Sequence, residues 1–180
     1  AILDVDDVWL PTKLEEQIEL MEKDDAIGFS FTDSMFFNEN GNLYSLFSKN
    51  HPPENCEYLF RQLLAGGSNF VSSESVIYRK SVLGEIGKSG TLFQNDCTMV
   101  VDYELMLKVG LCSKISYLDK VLSKWRIHDK NESLTKQILV PNENLQMIER
   151  LKKQYPVLIE KYSNELDQFN ICQQFLLSIE

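Results

Sequence analysis

Apolar positions recur along the chain with two different periods, and the switches between them mark its elements. Ala1 to Leu3 is an apolar run that reads as the end of a buried strand. After Pro11, Leu14, Ile18 and Met21 fall at helical spacing, with Thr12 and Glu15 placed as a capping box. Ala26 to Phe31 predicts a short strand that breaks at Thr32-Asp33-Ser34. An Asn40-Gly41 turn predicts a hairpin between Met35-Phe36-Phe37 and Leu43-Tyr44. Pro52-Pro53 opens a helix over 54–65, closed by Gly66-Gly67. Phe70 to Tyr78 reads as a strand and Lys80 to Ile86 as a helix ended by Gly87, with a polar loop over 88–95. Asp102 to Val109 forms a helix stopped by Gly110. Lys114 to Leu118 and Val121 to Ile127 are strands, and 129–136 is a polar loop. From Pro141 the spacing is helical throughout: Leu145, Ile148 and Leu151, then Leu158, Ile159 and Tyr162, then Leu166, Phe169, Leu176 and Leu177. Alternating strands and helices predict an α/β fold, and no internal repeat is visible.

Composition narrows the classes. With 180 residues, 43% of them hydrophobic and 25% charged, the chain fits one ordinary core. A net charge of −9 repels a phosphate backbone, which argues against nucleic acid as a general partner. Cys56, Cys97, Cys112 and Cys172 form no Cys-x-x-Cys pair, so they read as buried reduced thiols. No apolar run reaches the ~20 residues of a membrane span. The chain opens without Met inside an apolar run, from which an upstream part is expected.

The candidate chemistry begins at Asp4-Val5-Asp6-Asp7, three carboxylates within four residues at the end of the first expected strand. Open α/β sheets bind ligands at such strand ends. Like charges this close repel, and a divalent cation is one way to hold them; hard oxygen ligands suit Mg²⁺ or Mn²⁺. The alternative is a set of solvated loop acids that favour the N-terminus of the following helix. An EF-hand is excluded, because Val8 and Trp9 occupy positions five and six of the loop.

Two families carry acids at such a place. Ile2-Leu3-Asp4-Val5-Asp6 resembles the first motif of haloacid-dehalogenase-type phosphatases, whose late acidic pair has only Asp119, followed by Lys120, as a counterpart. A longer resemblance is to the family 2 glycosyltransferases with the GT-A fold. Asp4-Val5-Asp6-Asp7-Val8-Trp9, Pro11, Lys13-Leu14-Glu15 and Gln17 look like their metal-binding segment, and Ile27 to Asp33 like the strand after it. Ser72-Ser73, Arg79 to Leu83 and Ile86-Gly87 resemble the acceptor-side strand and helix. Asp102-Tyr103-Glu104 and Trp125-Arg126-Ile127-His128 resemble the base-bearing helix and the Arg-x-His segment. The match runs in order over residues 1–136, and 137–180 form a helical extension beyond it.

That resemblance implies a partial GT-A fold with a mixed sheet plus C-terminal helices. The implied reaction transfers a sugar, with inversion, from a nucleotide-diphosphate donor, a UDP-sugar first among them, to a hydroxyl of a saccharide or lipid-linked acceptor in surface polysaccharide or glycolipid synthesis. It implies Mn²⁺ or Mg²⁺ held by Asp4, Asp6 and His128, donor contacts from Asp7 and Arg126, acceptor contacts from Ser73 and Tyr103, and Asp102 as general base, kept ionised by its helix N-terminus. A cytoplasmic setting, at the inner membrane face, and a homodimer through the C-terminal helices are further implications. Three features depart from the pattern. Val101 stands where the family has Glu, Gly87-Lys88-Ser89-Gly90 replaces its acceptor loop, and its nucleotide-binding first half has no counterpart, which implies weak or no turnover by this stretch alone. A non-catalytic binding module derived from a transferase is the reading from another class.

Overall fold

In a computed structural model of the chain, the described residues are 1–45, 56–65 and 71–179. The elements run β1 (Val8–Trp9), α1 (Lys13–Glu22), β2 (Ile27–Asn38), β3 (Gly41–Ser45), α2 (Cys56–Ala65), β4 (Ile77–Tyr78), α3 (Lys80–Ser89), α4 (Val101–Cys112) and β5 (Lys114–Arg126). The helices α5 (Glu132–Thr135), α6 (Val140–Gln154), α7 (Pro156–Glu160) and α8 (Ser163–Ser178) follow. The sheet order is β1-β5-β2-β3, with β4 paired to β2. The two long strands, β2 and β5, run parallel, and the other pairings are antiparallel. The chain is therefore α/β with a mixed sheet and C-terminal helices. Its parallel pair, joined by a helical crossover, has the form of a partial Rossmann-like unit.

Both long strands run through polar stretches that the sequence reads as breaks. In β2, Thr32, Asp33 and Ser34 are buried inside the strand, where Asp33 accepts the Ser34 N–H at 3.0 Å. In β5, Thr32 pairs with Leu118 and Asp33 with Val121, so Asp119 and Lys120 are taken up as an exposed bulge and the strand continues. The expected hairpin forms: Asn38 pairs with Gly41, whose φ of 121° is a backbone angle that glycine adopts without strain.

Other expectations change. Ala1 to Leu3 forms no strand, and Val8–Trp9 instead pairs with Ser123 and Lys124 of β5. The serine-rich stretch before β4 is a 3₁₀ turn over Ser73–Ser75, because Ser75 returns both its N–H (3.0 Å) and its hydroxyl (2.7 Å) to the Ser72 carbonyl. Gly110 does not stop α4. It lies inside the helix, where a Cβ would come within 2.5 Å of Phe60. Gly87 likewise lies inside α3. The expected start of α2 before Cys56 and its Gly66-Gly67 closure lie outside the described residues.

One hydrophobic cluster joins Phe29 and Phe31 of β2, Ile115 of β5, the buried face of α4, and Met147, Ile148, Leu151, Leu166 and Phe169 of α6 and α8. The C-terminal helices thus pack on the sheet domain's own core. Burying one such side chain contributes roughly 1.5–3 kcal/mol. Of the cysteines, Cys97 is buried, Cys172 half-buried and Cys112 exposed, all three as free thiols. Among the described residues, no helix is long and apolar enough to cross a membrane.

Candidate functional site

Alternation along β2 sends Phe29 and Phe31 to the core face and Ser30 and Ser34 to the other. On that second face lies α1, and it buries Lys13, Gln17 and Met21 while Leu14 (43%) and Ile18 (46%) stay exposed. The reason is a polar network. Gln17 accepts from Lys13 Nζ at 2.6 Å and donates to the Ser30 carbonyl (3.1 Å), the Ser30 hydroxyl (3.2 Å) and the Ser75 carbonyl (3.0 Å). Lys13 Nζ also sits 4.7 Å over the Trp9 ring. Burial pushes the Lys13 ammonium down to about 8, against the holding effect of the Glu74 charge. The expected capping box is absent: Thr12 has helical dihedrals and makes no side-chain cap.

Glu74, 3% exposed, is the buried acid that faces this layer. Its carboxylate accepts hydroxyls from Ser34 and, at 2.8 Å, from Ser72, and its carbonyl accepts Trp9 Nε1–H at 2.8 Å. Buried acids require such partners.

Above this layer sits the acidic loop. Asp7 N–H closes a turn on the Asp4 carbonyl at 3.2 Å, and the end of β5 braces the rest: Arg126 donates its N–H to Asp7 Oδ1 (2.9 Å) and its Nε–H to the Asp6 carbonyl (3.0 Å). Burial raises the Asp7 carboxyl to about 7; the Arg126 N–H opposes this, and the charges of Glu74, Asp6 and Asp4 add to it. Asp6 goes the other way, lowered chiefly by its hydrogen bond with His128, whose Nε2 lies 2.8 Å from Asp6 Oδ2. His128 Nδ1 accepts the Lys130 N–H at 3.1 Å, which leaves Nε2 to carry the ring proton and to donate it to Asp6.

Asp102 is the second residue of α4. Its Oδ2 accepts the Ser73 hydroxyl at 2.5 Å and its Oδ1 the Tyr103 N–H at 2.7 Å. Burial raises the Asp102 pKa, with those two bonds opposing it and the Asp4 charge adding to it. The net direction is upward, opposite to what the helix terminus alone implies, because desolvation of the carboxylate outweighs the dipole.

These parts meet in one cavity of about 600 Å³. Asp4, Asp6, Asp7, Ser73, Asp102, Tyr103 and His128 all line it, although they come from four separate stretches of the chain. Two of the expected roles change. Arg126 is not among the lining residues; its guanidinium lies 4.4 Å over the Phe37 ring and its Nε–H is committed to the Asp6 carbonyl, so its observed part is to brace the acidic loop. Tyr103 borders the cavity but is 2% exposed, and its hydroxyl is committed to the Leu63 carbonyl, so it is no free donor for an acceptor. The sequence reading missed Glu74, whose only signal is an acid inside a serine run, and it missed the contribution of α5 and α6, which bring Glu132, Ser133, Val140 and Asn144 to the wall.

Asp6 presents a hard carboxylate oxygen, and the imidazole of His128 adds a nitrogen that Mn²⁺ accepts more readily than Mg²⁺. Ligation through Nε2 requires the ring to release the Lys130 N–H, since the proton must then move to Nδ1. Among the described residues no cluster of three or more His, Cys, Asp or Glu is arranged to hold a metal by itself. A cation held here by Asp6 would have to take its remaining ligands from phosphate oxygens and water, as is usual for Mg²⁺.

No protein-family model matches the chain. Over 139 residues it is 27% identical to an uncharacterized glycosyltransferase of Methanocaldococcus jannaschii, a match that covers 76% of this chain and 44% of the relative. The chain thus spans less than half the length of the relative it matches, and the class of protein it is similar to is a glycosyltransferase.

Proposed function

We propose that the chain carries the metal and acceptor half of an inverting glycosyltransferase of the family 2 type, acting on a nucleotide-diphosphate sugar, with a UDP-sugar as the first donor to test. The observation that carries this reading is the convergence of the Asp4-to-Asp7 loop and Asp102, nearly a hundred residues apart in the chain, on one cavity. Asp6, with Asp4 beside it, would hold Mn²⁺ or Mg²⁺; the cation supplies Lewis-acid neutralisation of the leaving diphosphate. Arg126 fixes the loop backbone so that the Asp6 carboxylate stays aimed into the cavity. Ser73 orients the Asp102 carboxyl, which takes the proton of the attacking hydroxyl. One displacement assisted by one base inverts the anomeric carbon. The acceptor is a sugar hydroxyl, free or lipid-linked.

The phosphatase reading loses support, because Asp119, its late acid, sits on the exposed β5 bulge bonded to Tyr117 and is not among the residues lining the cavity. The transferase reading is tested by titration calorimetry of UDP and GDP with and without Mn²⁺. It is run on this chain and on the longest natural reading frame that contains it, each with Asp6→Asn as control. Metal-dependent binding that Asp6→Asn abolishes is expected; binding indifferent to metal and to Asp6 in the longer protein would overturn it.

A further inference from the structure

The residues that lead into Asp102 are held by the C-terminal extension. Glu143, on the first turn of α6, places its carboxylate against two consecutive backbone donors: Thr98 N–H at 3.1 Å from each oxygen, and Met99 N–H at 2.7 Å from Oε2. The Thr98 hydroxyl adds a bond at 3.2 Å. Successive N–H groups make a natural seat for an anion, and a charged acceptor strengthens each bond. Thr98, Met99 and Val100 line the cavity, and Val100 caps α4 immediately before Val101 and Asp102.

Glu143 is itself anchored. Seven residues on, two turns along the same face of α6, Arg150 donates to Glu104 of α4 at 2.6 and 3.2 Å; Glu104 also takes the buried Lys108 ammonium at 2.9 Å. Beneath, Met147, Ile148 and Leu151 are fully buried. Helix α6 therefore grips α4 at its body and at its entry. A clamp at the entry alone would drift, whereas this one is fixed to the helix it serves.

We propose that Glu143 is a positioning residue for Asp102, and that the C-terminal helices are a working part of the site through it. The kinetic side of this inference rests on the transferase reading; the structural side does not. Loss of the carboxylate frees the 98–100 segment, admits water to Asp102 and displaces it from the acceptor, and small displacements of a catalytic group cost rate steeply.

The experiment compares wild type, Glu143→Ala, Glu143→Gln and the control Glu149→Gln, an exposed acid on the same helix that pairs with Lys152. Amide exchange at Thr98 and Met99, followed by NMR, is expected to rise about tenfold or more in Glu143→Ala, less in Glu143→Gln, which keeps one acceptor oxygen, and not at all in the control. The Asp102 side-chain carboxyl, titrated by ¹³C NMR, is expected to move down toward the ordinary carboxylate range in Glu143→Ala. In transfer assays on the longest natural protein that contains the chain, kcat should fall roughly tenfold or more while the donor KM stays within about twofold. Unchanged exchange would overturn the clamp. Raised exchange with an unmoved Asp102 titration, or with an unchanged kcat, would overturn the positioning role. If the longest natural protein that contains the chain transfers no sugar to any acceptor, the transferase reading fails, and the exchange and titration results still decide the inference.

Discussion

On one face of β2, Phe29 and Phe31 are sealed by α4 and the C-terminal helices in a layer of apolar side chains; on the other, Ser30 and Ser34 meet Gln17 and Glu74 in a layer of hydrogen bonds. The two faces are equally dry. The apolar one follows the periodicity of the sequence, because any side chain of roughly the right volume gains by leaving water. The polar one follows geometry, since each buried donor and acceptor must find a specific partner or cost free energy. That cost is accepted where the acidic loop has to be supported, directly beneath Asp4, Asp6 and Asp7.

The largest expected effect strikes the apolar face. Phe169→Ala, at a fully buried position of α8, should cost about 3–5 kcal/mol in urea unfolding by leaving a cavity. A much smaller loss would mean that the C-terminal helices are not part of the core. Next comes the polar face. Gln17→Ala removes the acceptor of Lys13 Nζ and the donor to Ser30 and Ser75, and should cost about 1–3 kcal/mol by the same measurement. A neutral result would show that the network is ornamental.

The third prediction concerns pH. Burial favours protonated Asp7, so its contribution to stability is fully present below the ordinary carboxylate pKa of ~3.9, declines as pH rises and is lost above about 7. Asn cannot ionise and keeps an acceptor for the Arg126 N–H. In metal-free buffer Asp7→Asn should therefore match wild type near pH 4 and exceed it near pH 8 by about 1–2 kcal/mol after allowance for solvent screening. Parallel stability curves across that range would contradict the burial of Asp7. The smallest effect separates the faces most directly: Leu14→Lys and Ile18→Lys, on the apolar stripe that the spacing predicts to be buried, should each change stability by no more than about 0.5 kcal/mol.

What the sequence shows and conceals divides along the same line. The spacing of Ile148, Leu151, Leu166 and Phe169 predicts buried helix faces, and all four are buried. The same logic applied to α1 selects Leu14, Ile18 and Met21, of which Met21 is buried and the other two are exposed, since hydrophobic periodicity carries no term for Lys13 or Gln17 finding partners far away in the chain. Thr32-Asp33-Ser34 reads as a break for the same reason: a polar run inside a strand is legible only once Glu74 is known to face it. At the site, Asp4, Asp6, Asp7 and Asp102 stand out as acids at strand and helix ends. Glu143 gives no such sign, because its role depends on where α6 lands, which no local pattern encodes.

The central claim is that the acidic loop and Asp102 form one site with divided tasks, donor binding in the first and proton removal in the second. Asp102→Asn tests it most directly, because the amide keeps an oxygen acceptor for Ser73 and cannot act as a base. UDP binding in the presence of Mn²⁺ and the rate of sugar transfer are measured together on that variant in the longest natural protein that contains the chain. The account predicts unchanged binding with transfer lowered about 10²- to 10⁴-fold. Transfer at the wild-type rate would contradict it.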